Sequence, residues 1–248
     1  MSAPDDPAPI LPQVALKHPL SAPSVKIQRA RKHLAELEAE VASFIIGKPI
    51  KFTVEAIEAN GERTFIFNMH MGAVPETLGA IIGDIIHNLR AALDLTACEM
   101  VRAAQQSDVG VYFPFSESAE ELDGIIRRRH FDRAGAEAVA LLQSLKPYRN
   151  GNTSLRSIHD LDIHDKHRAL IPNVMSAASP IIQMWEDDGT PNPRVIGDPN
   201  APTEIKIVFP SEVGPAGQEL LPTLHELVQL VERIVEAFRA LANRDAGA

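Results

Sequence analysis

Cysteine is almost missing from this sequence, because Cys98 is the only one among 248 residues. One cysteine forms no internal disulfide, which is typical of a protein from a reducing compartment, and it cannot build a zinc finger. Cys98 falls on the apolar side of a predicted helix, where packing is the expected role of a thiol. Metal or catalytic chemistry is therefore left to histidine and carboxylate side chains.

Long apolar runs are missing as well. No 18-residue stretch is both apolar and uncharged, and the first residues lack a basic segment followed by an apolar one. We therefore expect no transmembrane helix, no secretory signal, no membrane partner and a cytoplasmic location. The net charge of −9 argues against extensive non-specific binding of nucleic acid, although a local basic patch is compatible with it.

Several well-known catalytic motifs do not occur in the chain. It has no Gly-x-x-x-x-Gly-Lys-Ser/Thr phosphate loop, no Gly-x-Gly-x-x-Gly turn, no His-Glu-x-x-His pair and no Gly-x-Ser-x-Gly elbow. These absences argue against P-loop enzymes, dinucleotide-binding enzymes, zincin proteases and α/β-hydrolases.

The pattern of apolar residues, prolines and glycines predicts one mainly helical domain. Residues 1–24 include six prolines and few apolar side chains, so we expect a disordered or loosely docked arm there. Residues 25–243 form a single domain, and residues 244–248 form a frayed tail. The spacing of apolar residues predicts helices from the Ser24 cap to Gly47, over about 76–104, from Ser116 or Ser118 to 129, and over 134–145, 153–169 and 220–242.

The Asn60-Gly61 pair lies between two segments of alternating apolar residues, which is the strongest short signal for a β-hairpin. A two-residue turn there predicts the register, whose cross-strand pairs on one face are Ala56–Phe65, Val54–Phe67 and Phe52–Met69. Alternating segments at 181–185 and 204–209 flank a loop at 186–203 and predict a second, late hairpin. The fold class is therefore α+β, with a mainly helical body, an N-terminal antiparallel β-hairpin and a second late β-hairpin.

The helix predicted at 76–104 is apolar except for one polar stripe. His87, Arg90 and Asp94 are three and four residues apart and share one face. If the helix is central, these side chains must be paired internally or must line a cleft. A buried network that fixes helix packing fits this pattern, and so does a set of catalytic groups.

Residues 159–168 concentrate three histidines, three aspartates and two basic residues. On a helix, Asp160, His164 and His167 fall at i, i+4 and i+7 and point the same way. Two imidazoles and a carboxylate suit a zinc, iron or manganese ion, and they also suit a base with an orienting carboxylate. A helix end stabilised by ion pairs, such as Asp162 with Lys166, is the remaining interpretation.

Because both polar clusters occur on otherwise apolar helices, we expect them to meet in one cleft. Arg90 would bind a phosphate or carboxylate group there, with His87 and Asp94 beside it. His164 or His167 would act as the base, or as a metal ligand together with Asp160. The cofactor is then a divalent metal or none, and the ligand is RNA or a small phosphate compound. The basic run at 127–133 is a further candidate for phosphate contact.

The stretch 83–94, Gly-Asp-Ile-Ile-His-Asn-Leu-Arg-Ala-Ala-Leu-Asp, and Asp-Lys-His-Arg at 165–168 resemble the paired motifs of a widespread group of uncharacterised bacterial proteins. The likeness covers most of residues 27–210 and implies membership rather than an activity. In that group the first helix often continues to a His, and it then resembles HEPN-type ribonucleases and toxins. Those proteins cleave RNA without metal across a dimer, using an Arg and a His that are separated by four to six residues.

This chain departs from the HEPN pattern at the histidine. The positions that would supply it after Arg90 hold Leu95, Thr96 and Ala97, none of which acts as a base. The resemblance therefore implies activity here only if His87 or the His164/His167 pair supplies the base.

Two classes of function follow from the sequence. One is a nucleic-acid-directed enzyme of the toxin or defence type. The other is a non-catalytic helical scaffold that forms a homodimer or binds a partner protein, with both clusters acting as ion-pair networks. A dry hydrogen-bonded network around Arg90 without a pocket favours the scaffold.

Overall fold

A computed structural model describes residues 20–59, 62–168, 170–176, 182–186, 189–195 and 205–245. The described residues form six α-helices: α1 (Ser21–Ile46), α2 (Glu76–Ala103), α3 (Ala119–Arg128), α4 (Ala136–Ser144), α5 (Thr153–Asp165) and α6 (Leu220–Asp245). They also form six strands: β1 (Ile50–Ala59), β2 (Glu62–Met71), β3 (Asn173–Ser176), β4 (Ile182–Trp185), β5 (Pro191–Val195) and β6 (Ile205–Val208). The predicted α+β fold, with a mainly helical body and early and late hairpins, is confirmed. No helix in these ranges is long and apolar enough to cross a bilayer.

The first helix begins earlier than its sequence predicts. It starts at Ser21, and Leu20 before it is only 1% exposed. Ser24, the predicted cap, lies inside the helix and its hydroxyl donates to the carbonyl of Leu20. Glu99 on α2 lies beside this helix start: burial raises the pKa of its carboxyl, and the backbone of Leu20 and Ala22 acts in the opposite direction. The predicted Ser24 cap is therefore wrong, because the helix has already begun three residues earlier; residues 1–19 of the predicted arm lie outside the described residues.

The last helix of the chain also extends beyond its predicted bounds. The last helix, α6, continues through Asp245, so the tail predicted to begin at 244 starts within it. The helix predicted to begin at residue 134 begins at Ala136 as α4, and it is preceded by a separate 3-10 turn at Phe131–Ala134. Gly135 separates the two with φ of 91°, a backbone angle that glycine adopts without strain.

The core forms where α1, α2 and α6 pack against one another, with α2 in contact with both of the others. Helical periodicity in the sequence predicts an apolar stripe on α2, and the stripe is buried at every position: Ile82, Ile85, Leu89, Ala92, Leu93 and Met100. Ile81 and Ile86, which lie outside that stripe, are buried too, so α2 is enclosed on more than one side. Polar side chains on α2 therefore need partners within the protein or a place at its rim.

Two glycines let the end of α5 and the chain after it approach α2 closely. A Cβ atom at Gly79 would lie 3.4 Å from the carbonyl oxygen of Leu170, and one at Gly83 would lie 2.5 Å from the carboxylate of Asp165. The second contact joins the first residue of the 83–94 motif to the first residue of the 165–168 motif. The two motifs are thus neighbours in space.

The N-terminal hairpin has the predicted register, with Ala56 opposite Phe65, Val54 opposite Phe67 and Phe52 opposite Met69. Its turn at 60–61 lies outside the described residues. The apolar face of this hairpin is only partly covered, since Phe67 is 43% and Met69 is 56% exposed.

The late strands exist where the sequence predicts them, but they do not pair with each other. Strand β4 pairs with β5, which lies inside the predicted loop, and β6 pairs with β3. Strand β5 contains two prolines and β3 is four residues long, so neither carries a clear alternating pattern.

Candidate functional site

Helices α2 and α5 meet at a histidine–aspartate pair. His87 Nδ1 lies 3.2 Å from Asp162 Oδ1, and Lys166 Nζ donates to Asp162 Oδ2 at 2.6 Å. The Asp162 side chain is 6% exposed, whereas that of His87 is 59% exposed. A carboxylate only accepts hydrogen bonds, so Nδ1 of His87 carries the hydrogen and Nε2 of the neutral ring is left as an acceptor open to solvent. We call these two residues the His87–Asp162 pair.

More carboxylates surround this pair. Asp165 lies against Gly83, and burial raises the pKa of its carboxyl, with further upward contributions from the negative charges of Asp162 and Asp84. The positive charges of His87 and His164 act in the opposite direction on that pKa. A proton that arrives on the His87 ring therefore meets a negative local field.

Arg90 and Asp94, one turn further along α2, form a closed network. Arg90 Nη1 donates to Asp94 Oδ1 at 2.5 Å, and its guanidinium lies 4.9 Å from the ring centre of Phe115. The same Asp94 oxygen accepts the backbone N–H of Phe113 at 2.8 Å. Both charges thus hold the segment 113–115 against α2, and the Arg90 side chain is only 12% exposed.

His159 extends this network on the α5 side. Its ring stacks on Phe115 with a centroid distance of 4.7 Å, and its buried Nδ1 has no hydrogen-bond partner among the described residues. Burial is the main reason that the pKa of His159 falls to about 4, and the positive charges of Arg90 and Arg156 lower it further. The ring is therefore neutral at pH 7 and contributes packing rather than charge.

The predicted three-ligand metal site at Asp160, His164 and His167 is not assembled in the part of the chain that the structure describes. Helix α5 ends at Asp165, so His167 lies in the following turn and the i+7 relation no longer holds. Asp160 Oδ1 accepts a hydrogen bond from Arg156 Nε at 2.9 Å. Within that part of the chain no group of three or more His, Cys, Asp or Glu side chains is placed to hold a metal ion.

Two of those three residues nevertheless share a polar cleft. It has a volume of about 320 Å³ and is lined by Asp160, His164, Arg149, Ser211 and Glu212, with backbone from residues 213–214. The site residues predicted on α5 are thereby divided: Asp162 meets His87, while Asp160 and His164 face this cleft.

Arg156 is the buried cation that sequence analysis missed. It is 6% exposed and donates to Asp160, to the carbonyl oxygen of Ser116 and to Glu117. Arg149 and Arg156 together lower the pKa of Glu117 to about 2. The only sequence signal was the i,i+4 spacing of Arg156 and Asp160, which does not distinguish a buried pair from an exposed one.

A second feature that sequence analysis missed is a groove on α1 with a volume of about 370 Å³. Its lining residues are Val25, Lys26, Gln28, Arg29, Lys32 and Asn88. We call it the α1 groove. Its three cations recur every third residue with no acidic residue among them, and that spacing was visible in the sequence.

The basic run at 127–133 takes part in local packing. Arg129 lies 5.4 Å from the ring centre of Tyr112, and Arg133 donates to the carbonyl oxygen of Ser107 at 2.9 Å. Arg127 and Arg128 are exposed in the last turn of α3.

No protein-family model, no curated protein and no solved structure matches this chain. The family likeness carried by the two motifs and the likeness to HEPN proteins therefore stay predictions. The structure adds that the two motifs touch at Gly83 and Asp165, and that the His87–Asp162 pair joins the first motif to the helical turn just before the second.

Proposed function

We propose that the protein cleaves RNA without a metal ion, with His87 as the general base. The observation that carries this proposal is the His87–Asp162 pair, in which a buried carboxylate orients an exposed imidazole. A base must be held in one tautomer and must reach its substrate, and this arrangement meets both requirements. It also fills the role that the HEPN resemblance leaves vacant after Arg90.

The reaction uses the nucleophile that RNA itself carries. Nε2 of His87 takes the proton of a ribose 2′-hydroxyl, and the 2′-oxygen attacks the adjacent phosphorus. The bond from phosphorus to the 5′-oxygen breaks, and that oxygen takes a proton from water, so the products are a 2′,3′-cyclic phosphate and a 5′-hydroxyl. The imidazolium that forms lies beside Asp162 and Asp165, whose negative charges stabilise it.

A cleavage assay on a short fluorescent RNA, with and without EDTA, tests this proposal. We expect cleavage that EDTA leaves unchanged, and a loss of about 100-fold or more in rate for His87→Ala. Asp162→Asn should also lower the rate, because an amide can donate to Nδ1 and favour the wrong tautomer. An RNA with 2′-O-methyl groups should not be cut, since it has no nucleophile.

His225→Ala is the matched control, because His225 on α6 is also a half-exposed histidine that contacts a carboxylate, that of Glu38. Its rate should equal that of the wild type. Cleavage that EDTA abolishes, or an equal rate for His87→Ala and His225→Ala, would contradict the proposal. Thermal unfolding of each variant separates a lost base from a lost fold.

A second candidate function is a homodimeric scaffold, and the exposed apolar face of the β1–β2 hairpin favours it. Isolated two-stranded hairpins are marginally stable, and a second copy would cover Phe67 and Met69. Phe67→Ser with Met69→Ser should then convert a dimer to a monomer in sedimentation velocity. Ile57→Ser with Ile66→Ser, at similarly exposed positions on the opposite face, is the control that should stay dimeric.

A further inference from the structure

The α1 groove carries three positive charges that the protein does not neutralise. Among the described residues, no acidic side chain lies within ion-pair distance of Lys26, Arg29 or Lys32, whereas the neighbouring Arg31 pairs with Glu232 at 2.5 Å. Like charges at i,i+3 spacing on one helix repel each other. This cluster of unpaired cations is unusual in a chain of net charge −9, and binding of an anionic ligand would reduce the repulsion among them.

The groove also has the form of a binding site. Its volume of about 370 Å³ falls in the range of ligand sites. Val25 and the aliphatic stems of the lysines give it an apolar surface. At its base Asn88 is 8% exposed and donates one amide hydrogen to the carbonyl oxygen of Asp84 at 2.7 Å. A carboxamide has two such hydrogens, so the second is free for a ligand oxygen.

We propose that the α1 groove binds the phosphodiester backbone of single-stranded RNA. This inference rests on the proposed function, because it assigns the subsite that holds the substrate of the His87–Asp162 pair. The seven residues from Lys26 to Lys32 span about 9 Å along the helix axis, which is room for about two backbone phosphates. Asn88 and His87 are consecutive on α2 and lie about 100° apart around its axis, so a strand that leaves the groove must cross this part of α2 to reach the base.

Salt-dependent binding of a fluorescent single-stranded RNA tests the subsite. The RNA carries 2′-O-methyl groups throughout, so it cannot be cleaved and binding is measured independently of activity. The variant is the triple substitution Lys26→Gln, Arg29→Gln and Lys32→Gln. Loss of the contacts with about two phosphates should reduce the slope of log K against log salt by about 1.4, and it should weaken binding on the order of 100-fold at low salt.

The matched control removes the same charge elsewhere, by Lys51→Gln, Lys146→Gln and Arg244→Gln, all of which are exposed outside the groove. Its salt slope should stay that of the wild type. Equal weakening by both triple variants would overturn the proposal, because it would show a general charge effect. Binding that the groove variant leaves unchanged would overturn it as well.

Two further arms identify the source of the phosphate. Inorganic phosphate and ATP should displace the RNA only at far higher concentration than unlabelled RNA does, because inorganic phosphate and the triphosphate of ATP are both shorter than the span of about 9 Å over which the three cations lie. Displacement by ATP as efficient as by RNA would overturn the assignment to a strand. If RNA is cleaved but the groove variant binds it normally, the subsite is wrong and the proposed function stands. If RNA is bound in the groove but never cleaved, the subsite stands and the proposed function is wrong.

Discussion

Two polar regions one helical turn apart on α2 have opposite environments, although both belong to the motif at 83–94. Arg90 and Asp94 bind each other, the ring of Phe115 and the backbone of Phe113, and the Arg90 side chain is 12% exposed. His87 contacts one buried carboxylate, and its own side chain is 59% exposed. The first region has its hydrogen bonds satisfied inside the protein, and the second has a nitrogen left for an external partner.

This difference separates structural from functional polar residues within one motif. A buried charge that lost its partner would be left unsolvated, so Arg90 and Asp94 contribute to the stability of the fold. An exposed imidazole oriented by a carboxylate contributes little to stability and retains its capacity to exchange a proton. Measurements of stability and of its pH dependence can therefore test whether the two regions differ in this way.

The largest effect is expected for Arg90→Ala. It leaves Asp94 half-buried without its cation and removes the contact with Phe115, so we expect the free energy of unfolding to fall by about 3 kcal/mol. Chemical denaturation measures this loss. Arg102→Ala is the control on the same helix, because Arg102 pairs with Asp108 at an exposed position and its loss should change stability by about 0.5 kcal/mol or less. Equal effects of the two substitutions would remove the distinction between the regions.

The contact between the two motifs is tested by Gly83→Ala. At Gly124 on α3, where no atom lies within 4 Å of a new Cβ, alanine should add about 0.8–1 kcal/mol through its helix propensity. At Gly83 the new Cβ would displace the Asp165 carboxylate, and we expect this gain to be cancelled or reversed. Comparing the unfolding midpoints of the two variants measures the difference, which should be about 1–2 kcal/mol. Equal gains at both sites would mean that Asp165 does not lie against Gly83.

The buried ring of His159 predicts an acid-dependent loss of stability. Above pH 6.5 the ring is neutral in both the folded and the unfolded chain. As the pH falls from 6.5 towards 4, the unfolded chain binds the proton first, so the free energy of unfolding decreases, by on the order of 1 kcal/mol after allowance for solvent screening. His159→Phe keeps the stacking on Phe115 and should lack this part of the pH dependence. Parallel denaturation curves for wild type and variant over this range would refute the prediction.

The smallest effect on stability is expected for His87→Ala. Asp162 keeps Lys166 as a partner, so we expect a change of about 0.5 kcal/mol or less in the free energy of unfolding. The same denaturation assay as for Arg90→Ala measures it. A loss above about 2 kcal/mol would make His87 a structural residue like Arg90, and it would remove the support for a catalytic base.

Local patterns predicted much of the fold. The Asn60-Gly61 pair and the alternation around it are sufficient to place Val54 opposite Phe67, because strand side chains alternate with a period of two. The buried stripe of α2 and the bounds of α2, 76–103 against 76–104 predicted, follow from helical periodicity in the same way. These features depend only on residues close together in the chain.

Predictions failed where the deciding contact comes from elsewhere. Helix α5 was predicted to reach residue 169 and ends at Asp165, where the carboxylate lies against Gly83 of another helix. That earlier end places His167 in the turn after the helix, and His167 does not line the cleft that Asp160 and His164 share. The late strands pair with β3 and β5, whose short or proline-containing sequences carry little pattern of their own.

The candidate site was predicted in part. Sequence analysis correctly identified α2 and α5 as the two helices whose polar residues meet, but it placed Arg90 and His167 at the centre. The structure instead brings together His87 and Asp162, which are 75 residues apart in the chain. It also shows that Lys26, Arg29 and Lys32 share a groove with Asn88, which no spacing within α1 predicts.

The sequence by itself determined the helices, the hairpin register, the single cysteine and the residue types from which any chemistry must come. Tertiary structure alone decided which polar side chains were closed into networks and which stayed open. The physical reason is that periodicity sorts residues by face within one element, whereas burial and charge pairing depend on the element packed against that face. Arg90 and His87 show this most clearly, since one turn of the same helix separates a buried ion pair from an exposed imidazole.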